Sequence, residues 1–345
     1  MFVTDPAPTS VAELEDRLTT PSAALVESLA AGAGDLVVLG AGGKMGPTLC
    51  RLARRALDAS GRRAQVYAVS RWSDAAAAEQ LAAQGVRPVS ADLLGDGDLA
   101  QLPDGGDVVF MVGAKFGTSS TPSLAWAANA ALPDRVARRY PKARIAALST
   151  GNVYPLVPVS AGGAAETDPL GPVGDYAMSC LGRERILQHA ATTRGTPVSV
   201  VRLNYAVDLR YGVLADVARQ VRAGEPVDVH TGHVNVVWQG YANEVVLRSL
   251  AHASPEVFTL NLTGPETASV RRIATLFAQR FGTSVTFAGQ EADTALLSDA
   301  TLCHGLFGYP AVPLRTLVDW QTAWLDAGLP TLDKPTKFAS RDGKF

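Results

Sequence analysis

The sequence predicts an α/β protein: a doubly wound parallel sheet with a smaller C-terminal lobe and an N-terminal helical extension. Three observations predict it. From Asp35 onward, short apolar runs alternate with stretches of helical period, the pattern of parallel strands joined by helical crossovers. The first run, Leu-Val-Val-Leu at 36–39, ends in a glycine-rich turn that opens a helix. After Asn204 the alternation breaks into shorter pieces.

The elements follow in order. Residues 1–34 read as a helical extension packed on the outside. Ser10 and Glu13 have the spacing of a capping box, in which each side chain bonds the other's backbone amide. Thr20-Pro21 reads as the start of a second helix, with Leu25, Leu29 and Ala30 on one face. Strands are expected at 36–39, 65–69, 87–89, 107–112, 144–148 and 198–203, and helices at 45–58, 74–84, 124–140 and 176–193. Residues 35–204 thus form the dinucleotide-binding unit. Residues 205–333 form the substrate lobe, with part of 256–264 returning to the sheet edge. Residues 334–345 are a polar, loosely held tail.

Composition excludes several classes. With 345 residues and 47% apolar side chains the chain can bury a large core. A net charge of −2 leaves no global field for nucleic acid or an anionic membrane. Three cysteines, Cys50, Cys180 and Cys303, are too few for a disulfide framework and fit a reducing compartment. No signal peptide or membrane span is read, so the expectation is a cytoplasmic protein whose partner is a small molecule, with a homodimer as its assembly. His230 and His233 have no further clustered ligands in sequence, so no metal is expected.

Gly40-x-x-Gly43-Lys44-Met45-Gly46 lies between strand and helix, the context of a Rossmann-type cofactor turn. Gly40 permits the turn, Gly43 lets backbone approach a pyrophosphate, and Gly46 allows close helix packing. The second strand ends in Ser70-Arg71, with no carboxylate to repel a 2′-phosphate. Arg71 could pair with one. NADP is therefore the expected cofactor, with NAD second.

This spacing resembles the extended short-chain dehydrogenase/reductases, the NAD-dependent epimerase/dehydratase family with its UDP-galactose 4-epimerase-like members. Further matches follow in family order over about residues 35–265. Asp92-Leu93 resembles the pair that meets the adenine. Gly113-Ala114-Lys115 resembles the segment lining the cofactor, and Asn129 lies where a cofactor-side Asn is often found. Leu203 resembles a cofactor contact. Leu148-Ser149-Thr150-Gly-Asn152-Val-Tyr154 resembles the segment carrying the catalytic hydroxyl, and Tyr176 stands at the Tyr of Tyr-x-x-x-Lys. Asn152, Asn204 and Arg183 fall on the substrate side. The resemblance implies an NAD(P)-dependent oxidoreductase or epimerase acting on a secondary alcohol or ketone of a small, sugar-like molecule. Thr150 and Tyr176 would sit at the reacting oxygen.

Three departures shape that expectation. The lysine position of the motif holds Cys180, and a neutral thiol supplies no positive field to lower the Tyr pKa. Lys115 is the first candidate for a substitute cation and Arg183, seven residues past Tyr176, the second. Gly151-Asn152 stands where related 4,6-dehydratases carry Asp-Glu, so water loss is not expected. The 231–243 segment lacks an Arg to hold a nucleotide diphosphate. The competing reading is a catalytically weak or non-catalytic dinucleotide-binding protein, a sensor or scaffold.

Overall fold

The structure is a computed structural model that describes residues 6–95, 97–115, 120–332, 334 and 336–344. Seven parallel strands form its central sheet: β1 (Leu36–Leu39), β2 (Val66–Ser70), β3 (Arg87–Ser90), β4 (Asp107–Phe110), β5 (Arg144–Thr150), β6 (Val198–Leu203) and β7 (Phe258–Leu262). Their spatial order is β7-β6-β5-β4-β1-β2-β3, all neighbours parallel. The order reverses between β1 and β4, the switch point where such sheets open a ligand crevice beyond the strands' C-terminal ends.

The central strands are apolar on both faces because helices cover both. Leu36 and Val38 of β1 face a core shared with Leu49 and Leu260, whereas Val37 and Leu39 face one shared with Leu132 and Leu187. The return of 258–262 to the sheet edge, expected from sequence, is β7 pairing with β6. A third core holds the second lobe, where helices Val213–Ala223, Val270–Phe281 and Leu314–Asp326 meet around Phe277 and Trp324. Leu14 and Leu18 of the first helix are buried in it.

Local readings needed four corrections. Ser10 caps the Glu13 amide, but the Glu13 carboxylate turns to the backbone N–H and hydroxyl of Thr9 instead of Ser10. The second helix, Ala23–Ala30, is capped by Ser22 rather than Thr20. The Thr20 hydroxyl is spent on the Asp16 carbonyl, and Ala30 is exposed while Leu25 and Leu29 are buried.

The third correction is the 124–140 helix, which contains a π-helical turn at Ala127–Ala131 between Pro122–Trp126 and Leu132–Arg139. Pro133 has no N–H to donate to the Asn129 carbonyl one turn back, and the Arg183 Nε donates to that carbonyl instead, at 3.3 Å. A widened turn with an outside donor is the form a π-bulge takes.

The fourth is the tail. Residues 336–344 are docked, not loose: the Thr336 N–H and hydroxyl donate to Asp216 Oδ2 at 2.8 and 2.6 Å, Phe338 is buried, and Arg341 donates to Thr294.

Candidate active site

A cavity of about 340 Å³ opens at the C-terminal edge of the sheet. Of the residues singled out in sequence, Gly40, Gly43, Lys44, Met45, Gly113, Lys115, Thr150, Asn152, Tyr176, Cys180, Arg183, Leu203 and Asn204 line it. The glycine turn is built as the motif requires. Gly40 has φ +89°, and a Cβ there would lie 2.8 Å from the Val112 nitrogen. At Gly46 a Cβ would fall 2.2 Å from the Ala41 carbonyl oxygen, so only glycine lets the helix Gly46–Ser60 start against the loop. A Cβ on Gly43 would meet only the Gly40 oxygen, at 3.3 Å, so this backbone is bare toward the cavity. The loop and helix start fit a dinucleotide's pyrophosphate.

Ser70, Arg71, Asp92 and Leu93 lie at the same sheet edge, outside the cavity lining. The Ser70 hydroxyl sits against Gly42, since a Cβ on that glycine would lie 2.4 Å away. Arg71 is exposed at the end of β2. Asp92 Oδ1 accepts from the Leu94 N–H at 3.1 Å, and Leu93 is a core side chain.

Two expectations change role. Asn129 was expected beside the cofactor; it is 0% exposed and is not among the residues lining this cavity. Its amide exchanges two 3.0 Å hydrogen bonds with the Ala114 backbone and donates a third to the Ser179 hydroxyl. It holds Gly113-Ala114-Lys115 in place from behind. Arg183, expected toward substrate, is 4% exposed. Its guanidinium donates to the Leu148 carbonyl, to the Val112 carbonyl at 2.7 Å and to Asn129 Oδ1 at 2.9 Å. It ties the chain after β4 to β5 while lining the cavity.

The hydroxyl pair is assembled. Tyr176, at the start of helix Gly174–Arg194, lies beside Thr150 at the end of β5 and Cys180 one turn on, and all three line the cavity. Thr150 Oγ1 accepts from the Asn152 backbone N–H and side-chain amide, at 3.2 and 3.0 Å. The neighbouring Ser149 hydroxyl instead donates to Glu184 Oε1 at 2.5 Å. Glu184 is in a buried ion pair with Arg202, which donates to the Tyr154 hydroxyl at 2.6 Å.

A cation stands nearby, from the segment that follows β4. The Lys115 ammonium stands 5.6 Å from the centroid of the Tyr176 ring. Burial pushes Lys115 down to about 8, opposed by the adjacent Cys180. Burial drives the Tyr176 hydroxyl well above its ordinary range, and the Cys180 sulfur adds to this, while Thr150 and Arg183 pull the other way. Cys180 is 2% exposed and is itself pushed up by burial, which disfavours its thiolate.

Sequence reasoning missed the far wall: Tyr205, Tyr211 and Thr336 line the cavity. Lys44 turns toward them, its ammonium 3.3 Å from the Ala206 carbonyl and 3.6 Å from the Tyr211 ring centroid. Its pKa is lowered by burial to about 8. Tyr205 is held at φ 44°, unusual for a side-chain-bearing residue. Nothing local in the sequence marks these contacts. Among the described residues no three His, Cys, Asp or Glu gather as metal ligands, and His230 Nδ1 pairs with Asp228 at 2.7 Å.

Residues 36–246 match the model of the NAD dependent epimerase/dehydratase family. The chain belongs to that family. Solved structures with the same fold include three with bound ligands. MoeE5 in complex with UDP-glucose and NAD is 20% identical with a TM-score of 0.65, over 86% of this chain and 99% of that one. UDP-glucuronic acid 4-epimerase from Bacillus cereus in complex with NAD is 18% identical with a TM-score of 0.69, over 85% and 98%. Bordetella bronchiseptica WbmG in complex with NAD is 17% identical with a TM-score of 0.70, over 86% and 95%. No curated protein sequence matches the chain. Membership of this family makes a dinucleotide the expected cofactor of the glycine turn. Among the described residues no helix is long and apolar enough to cross a membrane.

Proposed function

We propose that this epimerase-family chain is an NAD(P)-dependent oxidoreductase or epimerase acting on a secondary alcohol or ketone of a sugar-like substrate. In this reading Lys115 takes the place of the motif lysine. One observation carries it: the Thr150–Tyr176 hydroxyl pair and the Lys115 ammonium converge on the cavity that the glycine turn opens into. Residues 35–204 then serve the dinucleotide and 205–333 the substrate.

Gly40, Gly43, Lys44 and Met45 would hold the pyrophosphate side of the cofactor, and Gly113 and Lys115 the nicotinamide side. When bound, the cofactor supplies two-electron exchange with the substrate carbon. The chain's own residues handle the proton and the geometry. Thr150, oriented by Asn152, donates to or accepts from the substrate oxygen. Tyr176 holds the proton that the oxygen gains or loses. Burial keeps that phenol protonated, so it suits proton donation to a ketone oxygen; abstraction needs the nearby Lys115 charge. Arg71, exposed at the end of β2, supports NADP over NAD. The three buried free cysteines support a reducing, cytoplasmic setting.

The test is calorimetric titration of NADP and NAD, then a turnover screen of sugar nucleotides and free sugars with the preferred cofactor. Tight cofactor binding with turnover that Tyr176→Phe abolishes supports the reading. The strongly raised Tyr176 favours one rival, a dinucleotide sensor; cofactor binding with no turnover on any sugar-like alcohol or ketone would select it.

A further inference from the structure

The side chain of Lys44 leaves the turn that carries it. Its backbone belongs to the glycine turn, but its ammonium ends against the second lobe. There it lies 3.3 Å from the Ala206 carbonyl oxygen and 3.6 Å from the centroid of the Tyr211 ring. Lys44, Ala206 and Tyr211 all line the cavity, on a wall shared with Tyr205 and with Thr336 at the head of the docked strap 336–344. Lys44 is half-buried at that surface.

An ammonium carries three N–H donors. The Ala206 carbonyl accepts from one, and the Tyr211 ring faces the charge. That leaves donor capacity for a ligand in the cavity. No carboxylate pairs with Lys44 among the described residues. Asp208 and Asp216 attract it from farther off, and both are engaged. Asp208 pairs with Arg210 at 3.0 Å, and Asp216 with Arg219 at 3.1 Å while accepting from Thr336 at 2.6 Å. Withdrawing an ammonium from water with no ion partner is costly, and burial has already brought Lys44 down to about 8. The rest of the lining gives no relief. Lys115 and Arg183 add positive charge, and among the described residues no Asp or Glu lines the cavity. Low-dielectric walls of one sign concentrate a ligand of the other.

We propose that the Lys44 side chain is a substrate-binding, specificity-determining group whose ammonium pairs with an oxyanion of the substrate, a phosphate or a carboxylate, at the second-lobe wall of the cavity. This rests on the oxidoreductase reading above and adds an anionic group to the substrate. The backbone of the glycine turn serves the cofactor, and the side chain of the same residue serves the substrate, because it ends on Ala206 and Tyr211 of the 205–333 lobe.

The experiment measures binding to the cofactor-saturated protein by calorimetry, with ligand pairs that differ in one anionic group. UDP against uridine tests a diphosphate, UDP-glucuronate against UDP-glucose a sugar carboxylate, and glucose 6-phosphate against glucose a phosphate ester. Wild type should prefer the anionic member of at least one pair by about tenfold, the lower range of a charge-assisted hydrogen bond. Lys44→Met, which keeps the length of the side chain and removes its charge, should cut that preference to about twofold. Lys44→Arg should keep it. Circular dichroism checks folding, and Lys44→Gln takes the place of Lys44→Met if that variant does not fold. No preference in wild type, no binding of any of the six ligands, or a preference that survives the neutral variant overturns the proposal. So does a fall in NAD or NADP affinity larger than the fall in ligand preference, which would put the ammonium on the cofactor. If wild type binds neither NAD nor NADP, the oxidoreductase reading fails instead.

Discussion

The ammonium of Lys115 lies 5.6 Å from the centre of the Tyr176 ring, although one residue comes from the segment after β4 and the other from a helix that begins about 60 residues later. That placement puts a cation beside the phenol whose own helix carries Cys180 at the motif's lysine position. It leads to the first prediction. Lys115→Met should lower turnover at least tenfold, because a proton transfer typically contributes a hundredfold or more and the cation supports it. Lys115 loses its charge as pH rises through about 8, so the wild-type rate should fall above that pH and the variant's profile should be flat there. Cys180→Lys should reduce the rate further, since it adds a second buried charge beside Lys115. A pH–rate profile of all three proteins checks this.

The same substitution should have the opposite effect on stability. Lys115 is lowered from 10.5 to about 8 by burial, so folding favours its neutral form. Below pH 8 both folded and unfolded chains carry the proton, and the folded chain bears the full cost. Between pH 8 and 10.5 the unfolded chain binds more protons, and stability recovers as pH rises. Lys115→Met should therefore stabilise the protein at pH 7, on the order of 1–3 kcal/mol, with the gain shrinking toward pH 10. Denaturant unfolding at both pH values measures it.

Tyr176→Phe and Thr150→Val should each cost at least tenfold in turnover while leaving the fold intact, since each removes one hydroxyl from the pair that lines the cavity. Circular dichroism controls for folding. Near-wild-type rates in both variants would remove the pair from the mechanism.

Glu184→Gln should destabilise by about 3 kcal/mol or more. The Glu184–Arg202 pair is buried, 2.8 Å apart, and removing one partner strands the other charge. The loss should appear as a lower denaturation midpoint.

Arg71→Ala should weaken NADP binding about tenfold and leave NAD nearly unchanged, because a guanidinium pairs with a 2′-phosphate and not with a hydroxyl. Titration of both cofactors into both proteins decides it; an unchanged NADP affinity would remove Arg71 from cofactor choice.

Much of this protein was written locally. Apolar runs marked all six strands expected within residues 35–204, and the 36–46 turn needed no distant partner, because glycine at 40 and 46 answers contacts made by its own neighbourhood and the adjoining strand. Thr150 and Tyr176 were legible because each ends or begins an element at the sheet edge, where parallel topology gathers functional groups. The absence of lysine at 180 was equally plain. Lys115 was already the first candidate to take its place, and its position 5.6 Å from the Tyr176 ring centroid comes from the structure; other contacts left no mark. Lys44 meets a carbonyl 162 residues away, and Arg183 takes the Asn129 carbonyl 54 residues back, freed by Pro133. Such pairings follow from how lobes and strands stack, and sequence periodicity records only which face is buried, not what it meets. The strap shows the limit most clearly. A polar segment reads as loose from composition, yet Asp216, Thr231 and Gly174 supply it with partners, and only the folded lobes bring those three to one line.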